Sequence, residues 1–206
     1  MTIRTALAVS VAVCLLFGGG LAQAKESGAT AQVKQVLDKA MEIQTREDLG
    51  GDGHRNERAK LVHELIDANF SSSDMAKEAL SDNWGALSAP QRTEFVTLFT
   101  RLFQASYTRM VLNFLQRESV EYRGETDKAG ATQVSTVITR ANEHIPVDYL
   151  LIKKSGRWLI TDVVIDGVSI VENYRNSFSR VIRTSSFASL LDKMRLQSKV
   201  EQEDVP

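Results

Sequence analysis

IPVDYLLIKKSGRWLITDVVI, residues 145–165, holds two β-rich runs separated by a break at Lys154-Ser155-Gly156. Branched and aromatic side chains suit a pleated surface, and a short polar break with glycine turns a chain back on itself, so Ile145 to Lys154 and Arg157 to Ile165 read as antiparallel neighbours. Two more such runs precede them, Ser119 to Arg123 and Thr132 to Thr139, again joined by short polar turns. Four consecutive strands with short turns predict a four-stranded antiparallel meander. Val134, Thr136 and Ile138 would share a face with Val147, Tyr149, Leu151, Trp158 and Ile160. Both faces carry apolar residues, so the pattern leaves the choice of face open.

The segments on either side change to helical period. Val33, Val36, Leu37, Ala40 and Ile43 share one face of a helix over Ala29 to Glu47, which ends in Gly50-Gly51-Asp52-Gly53. Asn56 to Asn69 predict a second helix, and Ser73 is placed to cap a short one over Asp74 to Ser81. Ser88-Ala89-Pro90-Gln91 is a start signal for a long helix to about Gln116. Its stripe of Phe95, Leu98, Phe99, Leu102, Phe103, Ser106, Tyr107, Met110 and Phe114 is rich in aromatics. After the sheet, Asp166-Gly167 turns the chain and Ser169 to Glu172 form a capping box for another helix. A last helix is predicted over Ser186 to Val200. Helices, then strands, then helices predict an α+β fold with helices packed on the sheet.

Residues 1–24 are read as an export signal. Arg4 precedes an apolar run from Ala6 to Phe17, three glycines break it, and Ala22-Gln23-Ala24 offers a cleavage pattern. The run is far short of the ~20 residues that span a bilayer. The expected organisation is a signal over residues 1–24, one domain over residues 25–200 and a polar tail over residues 201–206. Cys14 is the only cysteine, so the domain has no disulfide and no thiolate chemistry. A net charge of −1, one unit more acidic without Arg4, carries no basic surplus for nucleic acid. The domain is expected to be a monomer.

Motifs of catalysis are not evident. His54, His63 and His144 share no metal-ligand spacing, and no nucleophile elbow, phosphate loop or dinucleotide fingerprint occurs. Asp162 and Asp166 flank a strand end and a glycine turn, where aspartate commonly caps and turns. Asp162, Gly167 and Ser169 are therefore read as structural. One rival reading remains: Tyr149 and Asp162 as polar residues in the cone of a ketosteroid-isomerase-like enzyme.

Several spaced motifs carry a family resemblance. Phe70, Met75, Ala76, Leu80 and Trp84 form the first; Leu87, Ser88, Gln91, Arg92, Glu94, Phe95, Leu98, Phe99 and Tyr107 form the second; Trp158 to Ser169 with Asn173, Tyr174, Arg175 and Phe178 form the third. Together, over Ala59 to Lys199, they resemble the MlaC proteins, the toluene-tolerance auxiliary family of lipid-transport ABC systems. Two positions depart from the family pattern: Ser71 stands where it often has Asp, and Ser81 where it often has Gly.

The resemblance implies a non-catalytic periplasmic phospholipid carrier that maintains outer-membrane lipid asymmetry. Its partners would be an inner-membrane ABC transporter with an MCE-domain (MlaD-like) ring and an outer-membrane lipoprotein complex (MlaA-like). Phospholipid is the implied cargo and no cofactor is implied; a hopanoid or other isoprenoid lipid is the alternative cargo. A two-chain lipid exposes ~30 methylenes at about 0.8 kcal/mol each, on the order of 24 kcal/mol for crossing water bare. A carrier must bury that surface without holding it irreversibly. The expected walls are Phe99, Leu102, Phe103, Tyr107, Met110 and Phe114 on the long helix, facing Val134, Ile138, Val147, Tyr149, Leu151, Trp158 and Ile160 on the sheet. Met75, Met110 and Met194 would add adaptable surface. The head group is expected at the mouth, in solvent.

Overall fold

In the computed structural model, which describes residues 28–203, Ser155 and Gly156 take φ of 48° and 82° and close the hairpin between β3 (Glu143–Lys154) and β4 (Arg157–Ile165). The expected export signal and the last three residues of the tail lie outside the described residues. The same left-handed pair recurs at Ala129-Gly130, between β1 (Ser119–Lys128) and β2 (Ala131–Arg140). It recurs once more at Asp166-Gly167, with φ of 50° and 79°. These paired positive angles match the right-handed twist of the flanking strands, and glycine reaches them without steric cost.

Asp166-Gly167 was expected to lead straight into a helix. Instead it closes a further hairpin onto β5 (Val168–Ser169), so the sheet has five strands, in the order β1-β2-β3-β4-β5, rather than four. A two-residue strand is too short to show a period in sequence. β1 also runs to Lys128, past the expected end at Arg123. The α+β class and antiparallel meander are as the sequence indicates.

Register settles which face is inward. Val134 pairs with Tyr149 and Thr136 with Val147, while Leu151 pairs with Ile160. All six are buried and lie under the helices. A register shift beside Leu150 puts two residues of β4 against one of β3, so Val163 continues the inward row of Ile160. Leu150, Ile152, Leu159 and Val164 are half-buried on the other face.

The described residues include six α-helices, packed on the inner face or on one another: α1 (Gly28–Thr45), α2 (Arg55–Asn69), α3 (Ser72–Leu80), α4 (Ala89–Phe114), α5 (Ile170–Thr184) and α6 (Phe187–Glu203). The last therefore runs into the expected tail. α4 begins as its sequence dictates. Ser88 Oγ accepts the Gln91 N–H, Gln91 Oε1 accepts the Ser88 N–H at 2.9 Å, and Pro90 lies in the first turn. α1 is seated by Glu125 of β1, which accepts the backbone N–H and the hydroxyl of Thr30 in the helix's first turn, where a carboxylate complements the helix dipole. Gly28 leaves room for the indole there: a Cβ would stand 2.6 Å from Trp158 Nε1 and force the ring to shift.

The core is organised around rings. Phe95, Phe99 and Phe103 are at most 1% exposed, and their centroids follow one another at 6.2 and 6.1 Å along α4. Tyr107 extends the row at 5.5 Å and meets Phe70 at 5.1 Å. Phe178 of α5 stands edge-on to Phe95 at 5.5 Å, and Tyr174 edge-on to Phe99 at 5.2 Å. Each fully buried phenylalanine contributes about 1.5–3 kcal/mol, so this row is the main anchor of α4.

Candidate functional site

The expected apolar wall divides into residues that converge and residues that do not. Phe99, Leu102 and Phe103 from α4, with Val134, Val147, Tyr149, Leu151 and Ile160 from the strands, belong to one buried cluster, none more than 4% exposed. Tyr107 joins it from α4, close enough to Tyr149 that each ring sits among apolar neighbours. Burial raises the hydroxyl pKa of both tyrosines, and Tyr107 and Tyr122 add to the rise at Tyr149. These phenols stay neutral at any physiological pH.

Of the other four expected wall residues, Phe114 and Met110 lie outside this cluster, and Trp158 and Ile138 pack against its edges. Phe114 is 57% exposed, with the Arg140 guanidinium over its ring at 5.4 Å. Met110 is half-buried. The cause is a rotation of the buried stripe: α4 buries Phe95, Leu98, Phe99, Leu102 and Phe103 first, then Gln104, Thr108 and Val111. Its C-terminal end is turned by α1, whose Gln44 amide donates to the carbonyls of Val111, Leu112 and Leu115 at 3.0 Å. Trp158 sits at one end of the sheet, against Gly28 and with Lys153 Nζ 5.7 Å over its ring. Ile138 lies at the opposite end, half-buried beside Ile145.

Asp162 sits on the outer side of the sheet. It pairs with Leu150, and Tyr149 is the next residue along β3, so the two side chains point to opposite faces and do not converge. Asp162 instead ties β4 to the start of α5. Oδ1 accepts the Val163 N–H at 2.8 Å and the Val171 N–H at 3.1 Å; Oδ2 accepts the Ser169 hydroxyl at 2.5 Å. Burial raises its pKa above the ordinary carboxylate value against the pull of these donors. Ser169 caps α5 by accepting the Glu172 N–H at 2.9 Å. The second half of the expected box, Glu172 accepting the Ser169 N–H, is not formed; Asp162 instead accepts the Val171 N–H of the helix's first turn. Arg175, whose charge favours the ionised form of Asp162, is itself held by the Glu78 carboxylate and carbonyl.

One feature was not singled out from sequence. α2 and α4 run antiparallel and are cross-linked at two levels, Arg55 to Asn113 at 2.9 Å and Gln104 to Asp67 at 3.1 Å. Between these links lies a cleft of about 910 Å³, lined by Ala59, Lys60 and His63 of α2 and by Arg101, Leu102, Ala105, Thr108, Arg109 and Leu112 of α4, with Ser198 of α6. Ala59 and Ala105 put small side chains of both helices in its lining. Leu102 belongs both to this lining and to the buried cluster, so it separates the cleft from the interior. The available signal was Arg101, Ala105, Thr108, Arg109 and Leu112 at spacings of three, four or seven on one face of α4.

No three His, Cys, Asp or Glu side chains among the described residues are grouped to hold a metal ion, and no described helix is long and apolar enough to cross a membrane.

Comparison with known proteins gives the architecture a family. No curated relative matches the chain. Among solved structures, the fold matches a phospholipid-binding protein from Ralstonia solanacearum in complex with a phospholipid, with a TM-score of 0.72 and 21% identity over 85% of this chain and 99% of that one. The family profile described as MlaC protein matches residues 34–196, which spans α1 to α6 and all five strands. The chain belongs to the MlaC family.

Proposed function

We propose that the protein is a non-catalytic phospholipid carrier that works in the periplasm, receiving lipid from one membrane's complex and delivering it to the other's. Support comes from family membership and from the lipid bound to a protein of the same fold. The partners this reading calls for are an MCE-domain ring of an inner-membrane ABC transporter and an outer-membrane lipoprotein complex. Acyl chains lie between α4 and the sheet, against Leu102 and Phe103 on one side and Val147, Tyr149, Leu151 and Ile160 on the other.

The observation that carries this reading is the composition of the wall. It is a continuous run of rings, from Phe95 to Tyr107, in one buried cluster with the inward side chains of the sheet. Its phenols are held neutral by burial, so the wall offers surface without a charged hook. Acyl methylenes and aromatic rings are equivalent partners for such walls. Lipid can replace side-chain contacts with little net change in buried area.

Native mass spectrometry of protein purified from its own host tests the proposal. A co-purifying phospholipid mass is expected; protein that carries none and takes none from vesicles refutes the carrier. Leu102→Trp tests the path. If acyl chains occupy the space beside Leu102, the indole takes their place, so the variant should fold while losing its lipid. In a solid core the same change costs about 1–3 kcal/mol. A strongly destabilised variant with a full lipid load would place the chains elsewhere.

A further inference from the structure

α1 is fastened differently at its two ends. Its inward residues Val33, Val36, Leu37 and Ala40 belong to the same buried cluster as Val134, Val147 and Tyr149. The helix packs on α2 and on β1, β2 and β4, so it closes the interior on that side. Beyond its C-terminal end the chain is anchored. Leu49 is 2% exposed, and Arg58 of α2 donates to the carbonyls of Leu49 and Gly51. Between α1 and this anchor stands Arg46, extended at φ −62° and ψ 129°. Such a break at an element's end is where a hinge absorbs rotation. Gln44, with its three bonds to the end of α4, is two residues from the break and would move least. The N-terminal half is held by polar contacts above its apolar face. Glu125 accepts the Thr30 N–H and hydroxyl at 2.6 and 2.5 Å, Gln32 donates to Asn69 of α2 at 2.6 Å, and Lys34 Nζ stands 5.4 Å over the Tyr122 ring. A groove of about 550 Å³, lined by Val36 and Lys39 of α1 and by Leu65 and Asn69 of α2, shows that side chains do not fill the whole seam between the helices.

We infer that α1 is a hinged lid on the lipid site: it turns about Arg46, is latched by Glu125 on Thr30, and admits acyl chains beneath it, over β1 and β2. Hydrogen bonds of the latch exchange for bonds to water at little net cost. The apolar face does not, because surface taken from the interior must find other apolar surface or meet water. Acyl chains supply that surface and take over the contacts that Val33, Val36 and Leu37 give up. The lid therefore opens against lipid rather than against bare water, and a lipid-free molecule stays shut. The inference rests on the carrier reading for its ligand.

The test exploits the sequence after Cys14, which is free of cysteine. Thr30→Cys with Glu125→Cys ties the lid shut when oxidised and frees it when reduced. The assay is the rate at which protein moves a fluorescent phosphatidylglycerol from donor to acceptor vesicles of dioleoyl phosphatidylglycerol. The oxidised pair should transfer at least about tenfold more slowly than the same protein reduced, and lipid loaded before oxidation should stay bound by native mass spectrometry. Ser135→Cys with Asp148→Cys joins paired positions of β2 and β3 on the outer face and should leave the rate unchanged on oxidation. Glu125→Ala removes the latch and should speed transfer by about tenfold, the scale of one charge-assisted contact, with lipid per molecule unchanged. An oxidised lid pair as fast as its reduced form overturns the lid and leaves the carrier standing. Equal slowing by the sheet pair, or a Glu125→Ala rate equal to that of wild type, does the same. Wild type that holds no lipid and transfers none overturns the carrier.

Discussion

Asp162→Ala is the sharpest single perturbation of the scaffold. The carboxylate takes the N–H groups of Val163 and Val171 at 2.8 and 3.1 Å and the Ser169 hydroxyl at 2.5 Å. Alanine leaves all three donors without that acceptor at a position only 9% exposed. A buried donor left unpaired costs about 1–3 kcal/mol. Ser169 can turn its hydroxyl to another acceptor and falls at the low end, whereas the backbone groups cannot move. The sum is about 3–5 kcal/mol. At roughly 2–4 °C per kcal/mol for a domain of this size, Tm falls by roughly 6–20 °C. Ser169→Ala alone costs about 1 kcal/mol as a lost cap, and the two changes together should cost less than their sum because they share a contact. Calorimetry and urea titration measure the loss, and mass spectrometry measures lipid per folded molecule. A Tm within a degree or two of wild type would refute the hydrogen-bond argument. A normally folded variant that loses its lipid would make Asp162 functional rather than structural.

Gly167→Val forces a branched residue to φ 79° with no steric neighbour within 4 Å, so its loss of about 1–2 kcal/mol is pure backbone strain, read as a lower Tm. Ser81 closes α3 at φ 49° and ψ −126°, a conformation glycine holds with less strain; Ser81→Gly should raise stability by about 1 kcal/mol in urea titration. Phe114→Ser should change stability by less than about 0.5 kcal/mol and leave lipid loading unchanged, because the ring is an exposed surface contact. The raised Asp162 pKa means that the folded state keeps this proton to higher pH than the unfolded chain. Its contribution to stability is fullest below the ordinary carboxylate value and falls as pH rises through the folded pKa; that slope should vanish in Asp162→Asn.

The hairpin residues carried most of the fold. Ser155-Gly156 gives the pairing directly, and the alternation of Val147, Tyr149 and Leu151 groups them on one face without saying which face is inward. The inward row on β4 was harder to read because the register shift beside Leu150 changes parity between Ile160 and Val163. Half-buried Leu150, Ile152, Leu159 and Val164 on the other face blurred the contrast further. On α4 the first three turns follow the aromatic period. The last turns do not, because the stripe passes to Gln104, Thr108 and Val111 as α1 grips the helix end. No periodic rule places polar Gln104 and Thr108 inside. The cleft escaped notice for a related reason: its lining comes from α2, α4 and α6, which no single period brings together.

The strand order has a kinetic consequence. β1 to β5 neighbour one another in space as they do along the chain, and each hairpin closes over two residues. Closing so short a loop sacrifices little chain entropy, so the sheet can zip from any of its turns. α1 is at the other extreme, since Thr30 must find Glu125 across 95 residues. Its docking waits for the strands to exist, and its amides should exchange through partial openings that leave the sheet intact.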